Sequence, residues 1–188
     1  MTNQGFYNLL EKLATRLDGI AELTGRGIAW LTLGMVLITF AVVVLRYGMQ
    51  TGSIALQESV SYLHAIVFML GAAYTLKHDG HVRVDIFYQK ASPQTRAWTN
   101  LLGTLLLLFP TCGFILASSL DYVASSWSIQ EGSRETGGLD GVFLLKTVIP
   151  LMAVLLLLQG CSLALRSALV IAGRGPAEAG AGIADKDL

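Results

Sequence analysis

The chain is poor in most of what soluble chemistry uses. Of its 188 residues only 14% are charged, and 13 basic residues balance 13 acidic ones to a formal net charge of zero. That balance gives no support for binding nucleic acid, whose phosphates call for a basic excess. Cysteine occurs only as Cys112 and Cys161, each inside an apolar run, so neither a disulfide framework nor a CxxC metal or redox motif is available. A nucleophile beside its base, a phosphate-cradling glycine loop and a carboxylate pair within one apolar run are all missing, so the chain reads as a non-enzyme without a cofactor of its own.

Apolar side chains are what it has. They make up 53% of the residues, and the mean hydropathy of +0.59 lies outside the soluble range. Four intervals carry no charge at all: 27–45, 59–76, 97–120 and 147–165, of 19, 18, 24 and 19 residues. A hydrocarbon core of about 30 Å takes about 20 helical residues, and backbone hydrogen bonds there must be closed internally. The expected fold class is therefore an all-α membrane protein with four transmembrane helices. No internal repeat suggests inverted halves. The first span is followed by "VVVLRYGMQ" rather than by a small-residue cleavage site, so it is expected to be retained.

Lysine and arginine give the orientation. Lys12, Arg16 and Arg26 precede span one; Lys77, Arg83, Lys90 and Arg96 lie between spans two and three; Arg166, Arg174 and Lys186 follow span four. Arg46 and Arg134 fall on the other side, so the positive-inside rule predicts both termini in the cytoplasm, N-in and C-in. The outer loop, 121–140, holds Asp121, Glu131, Glu135 and Asp140 against Arg134. Residues 1–25 read as an amphipathic helix on the inner leaflet, with Phe6, Leu9, Leu10, Leu13, Leu17 and Ile20 at helical spacing. Residues 26–168 form the transmembrane domain. The glycine-rich tail, 169–188, is expected to be disordered. Ser92 followed by Pro93 marks a helix start, and Pro110 and Pro150 are expected to kink spans three and four.

Several residues ask for partners. His78 and His81 with Asp79 and Asp85 could be drawn as a metal cluster, but "HDGH" lacks the i, i+4 spacing of paired ligands. His64 in span two could ligate haem or face a hydrogen-bonding partner. No second intramembrane histidine completes a bis-histidine site, and no span has an acid at its middle to relay protons or cations. Lys146, just inside span four, can snorkel to the outer interface or pair with a partner. Arg46 closes span one and Glu58 opens span two, close enough in sequence to form one ionic site, with each other or with a partner. In "KHDGHVRVDIFYQK", an Asp79–Gly80 turn leads into alternating Val82, Val84 and Ile86, either strand or short interfacial helix, with Phe87 and Tyr88 as interfacial aromatics.

"RYGMQTGSIALQESVSYLHAIVFMLGAAYTLKHDGHVRVDIFY", with "EGSRETGGLDGVFLLKTVIPLMAVLLLLQG" after it, resembles the small membrane subunit of tripartite ATP-independent periplasmic (TRAP) transporters, the DctQ-like family. The resemblance covers residues 26–166 and rests on Arg46, Tyr47, Glu58, Gly71, Ala72, His81, Val82, Arg83, Val84 and Asp85. Many members pair two acids before span two, where this chain has Gln57 and Glu58. The resemblance implies a subunit that braces a large multi-span permease during sodium-coupled uptake of an organic acid or similar solute delivered by a periplasmic binding protein. Its setting would be a bacterial inner membrane, among lipids. Arg46, Glu58, His64, His81, Arg83, Asp85 and Lys146 are the expected contacts to the large subunit. Glu131, Glu135 and Asp140 are the expected docking residues for the binding protein. The alternatives are a membrane anchor of a redox complex and a small four-helix exporter.

Overall fold

The computed structural model describes residues 3–82, 88 and 90–174. All of its regular structure is helical, and four of its helical stretches are long and apolar enough to cross a membrane. α1 is Asn3–Gly48 and α2 is Ile54–Lys77. The third stretch is α3, Pro93–Gly103, a single π turn over Thr104–Leu108, and α4, Phe109–Ser128. α5, Val142–Ile171, packs against every other element, with α1 and α2 on one side and α3 and α4 on the other.

Local chemistry sets the boundaries. Ser53 caps α2 by accepting from the Leu56 N–H, and Ser92 caps α3 by accepting from the Thr95 N–H, with Pro93 in the first turn. Pro110 has no N–H to give. The helix widens one turn before it, where the Phe109 N–H reaches back to the Thr104 carbonyl, so the expected kink takes the form of a π turn. Pro150 sits inside α5 without ending it. At the end of α2 the predicted turn forms, with Asp79 at φ 55° as the left-handed residue while the Gly80 N–H returns to the Thr75 carbonyl.

The 46 residues of α1 form one unbroken helix, about 69 Å long at 1.5 Å per residue. The amphipathic stretch, residues 4–25, therefore shares one helix with span one. It presses Ala14 and Ala21, both buried, into the bundle. The stripe of Phe6, Leu9, Leu13 and Ile20 stays exposed.

The interior is small and the exterior large. Ala14, Ala21, Ala73, Ala153 and Ser162 are buried, while Trp30, Phe40, Phe68 and Phe114 are exposed. Helices surrounded by hydrocarbon gain nothing from hiding apolar bulk, so close backbone approach and internal hydrogen bonds hold them. Gly25 lies so near Tyr74 that a Cβ would overlap the ring, and Gly160 lies equally close to Leu108.

Candidate functional site: the two polar ends of the bundle

Charged side chains gather at the two ends of the helices. At the Lys77 end, Asp18 of α1 is the centre of a cluster on α5. It accepts from Gln159 Nε2 at 3.0 Å and from Arg166 Nε at 2.9 Å, and a second Arg166 nitrogen closes an ion pair. Ser162, fully buried, places its hydroxyl 2.5 Å from the same carboxylate. One turn further on, Glu22 accepts from Lys77 Nζ at 2.6 Å and lies 2.9 Å from His78 Nε2, tying α1 to α2. The His78 ring rests on Tyr74, 4.3 Å between centroids. Arg174 stacks over Tyr7 and donates to Gln4, so both described chain ends lie here.

The Glu58 end is closed by the loop 129–141. Glu58 accepts from the Ser133 hydroxyl and, at 2.7 Å, from the Leu139 N–H. Gly138 is flush with this contact, since a Cβ there would strike Ser133 and the Glu58 carboxylate. Glu131 accepts from Lys146 and from Ser126 Oγ, and its backbone carbonyl accepts from the Phe143 N–H. Those bonds, Lys146 first, hold the Glu131 carboxyl below the usual glutamate range. Lys146 also lies 4.0 Å above the Tyr122 ring. Trp127 donates its indole N–H to Thr147 at 2.9 Å and sets its ring edge-on to Phe143.

The expected contact residues thus divide. Arg46 is exposed and makes no ion pair among the described residues, and Glu58 is engaged by the loop instead. The direct Arg46–Glu58 pair is not formed, because the loop backbone offers Glu58 a fixed N–H and hydroxyl. Lys146 finds a partner within the chain, in Glu131, which is half-buried. Glu135 and Asp140 remain exposed. His64 is exposed and stacks on Phe68, 6.4 Å between centroids. His81 folds back, one ring nitrogen 3.2 Å from the Ala72 carbonyl. Arg83, Asp85, Val84, Ile86, Phe87 and the tail from 175 lie outside the described residues. Tyr88 packs on α3, where its hydroxyl and the Asn100 amide hydrogen-bond.

Sequence reasoning missed Asp18, Glu22 and Ser162. Their signal was a face of small residues, Ala14, Ala21 and Gly25, with Asp18 and Glu22 at matching helical spacing.

Four apolar helical stretches, small residues at their contacts and charges held at the two ends define a multi-pass membrane protein. The particular family follows from a sequence comparison: the family model for tripartite ATP-independent periplasmic transporters, DctQ component, matches residues 35–169. The chain belongs to that family. No curated protein and no solved structure matches it.

Proposed function

We propose that the chain is the small permease subunit that braces the large membrane component of a TRAP transporter in a bacterial inner membrane. The solute is an organic acid or a similar molecule, delivered by a periplasmic binding protein and moved with sodium. The observation that carries this reading is the distribution of charge within a family of transporter components. The four apolar intervals hold none, and Asp18, Glu22, Glu58 and Glu131 each close a contact between elements at one end. Carboxylates used in this way stiffen a scaffold, whereas ion relays need them along the span.

In this reading the Lys77 end is cytoplasmic and the Glu58 end periplasmic, in accord with the excess of lysine and arginine near the former. Arg46, His64, His81, Arg83 and Asp85 face the large subunit, and Glu135 and Asp140 remain to meet the binding protein. Glu58, Glu131 and Lys146 contribute by shaping the loop between them. The test is reconstitution of the large permease and the binding protein in proteoliposomes, with and without this chain, scored by sodium-driven uptake of labelled organic acids. Uptake is expected only with the chain present; robust uptake without it would overturn the brace.

A further inference from the structure

One exposed face of α2 carries polar side chains at regular spacing through the span. Ile54, Gln57, Ser61, His64 and Phe68 are its exposed residues, and all other residues of the helix are buried or half-buried. The steps between them are 3, 4, 3 and 4 residues, the 3.5-residue period with which one helix lies along another. α1 and α5 already occupy the remaining sides of α2.

The chemistry of this stripe does not suit lipid. The exposed face of α1 through span one is mostly Trp30, Leu33, Val36, Leu37 and Phe40, with Thr32 and Thr39 among them and the Thr39 hydroxyl bonded back to the Met35 carbonyl. The α2 stripe carries an amide, a hydroxyl and an imidazole. Among the described residues, the side chains of Gln57, Ser61 and His64 take no hydrogen-bond partner, and His64 has only its stack on Phe68. His64 is six residues from Glu58 and 13 from Lys77, so it lies about 9 Å from one polar end and about 20 Å from the other. That depth is within a hydrocarbon core of about 30 Å, where lipid offers the His64 imidazole neither donor nor acceptor. Ser61, small and central in the stripe, allows a neighbouring backbone to come close.

We propose that this stripe is the seam that receives a transmembrane helix of the large permease component, with His64 and Gln57 hydrogen-bonded across it. The proposal rests on the reading of the chain as a small permease subunit and adds the place where the large component docks. Family membership supplies the occupant's class: a component of a tripartite transporter has a membrane-embedded partner, and a partner helix with polar side chains satisfies what lipid cannot.

The experiment places a photo-crosslinking benzoylphenylalanine at Ser61 or Phe68, and for comparison at Trp30 or Leu106, in the full chain co-expressed with the large permease. Adducts identified by mass spectrometry as the large permease are expected from Ser61 and Phe68, and none from Trp30 or Leu106. Large-permease adducts from Trp30 or Leu106 in place of the seam would overturn the seam and leave the small-subunit reading standing. Adducts joining two copies of this chain at Ser61 or Phe68 would assign the stripe to self-association and overturn the proposal. Absence of large-permease adducts at all four positions, with no co-purification, would overturn the small-subunit reading itself. In parallel, His64→Leu should lower recovery of the large permease about threefold to about twentyfold, the range measured for hydrogen bonds between membrane helices. His64→Gln should restore much of it. Equal recovery with leucine would overturn the hydrogen-bonded seam.

Discussion

Glu131 directs its charge onto Lys146 and Ser126, and this gives the loop a pH dependence whose sign can be worked out. Its folded pKa is depressed, first by the Lys146 bond and then by Ser126. The unfolded chain therefore binds the proton more readily than the folded one. The stabilisation is fully present above the ordinary glutamate value of about 4.3 and is lost only as the pH falls through the lower folded value. Trp127, bonded to Thr147 beside this contact, is the reporter. In a Trp30→Phe, Trp98→Phe background its emission should stay constant from neutral pH to the ordinary carboxylate range and shift only below it. Glu131→Gln should abolish that transition. The sequence pointed to Glu58 and Lys146 as charges at span ends and to Glu131 as a charge of the outer loop. It could not give Glu58 its partners, because Ser133 and Leu139 lie 75 and 81 residues beyond it and no periodicity relates a loop to a helix so far away.

Elements were legible where local chemistry decides. The Ser92–Pro93 start and the four apolar lengths could be read directly, since a cap and a span length are properties of neighbouring residues. The continuity of α1 was not legible because the change from amphipathic to apolar near residue 26 records a change of side-chain character, and no proline interrupts the backbone there. The small face that joins α1 to α2 and α5 was present in the sequence but masked by the more conspicuous leucine stripe. Two glycines two residues apart separate these influences. At Gly25 a methyl group would overlap Tyr74, whereas at Gly27 nothing lies within 4 Å. Gly25→Ala should therefore destabilise the purified protein by about 1–3 kcal/mol. Gly27→Ala should be neutral or stabilising by up to about 1 kcal/mol, through helix propensity. Thermal unfolding of both variants in one detergent checks the difference in sign.

For the whole molecule, the arrangement puts both described chain ends at one end and the loop 129–141 at the other, and the positive-inside rule predicts that the first end is cytoplasmic. A reporter active only in the periplasm should be silent when fused after Lys90 and active when fused after Glu135; the reverse pattern would invert the topology. The contact between Asp18 and Arg166 joins residues 148 positions apart, and this imposes an order in time. At about 5–20 residues per second, ribosomal synthesis leaves Asp18 waiting about 7 to 30 s for its guanidinium. Glu22 meets Lys77 after only 55 residues, and Glu58 meets Leu139 after 81. The Asp18 cluster is thus the last of these contacts to become possible, and a chain cut short before Gln159 never neutralises Asp18. A bare carboxylate on α1, level with the end of the missing α5, is then the chemical mark by which an unfinished copy differs from a complete one.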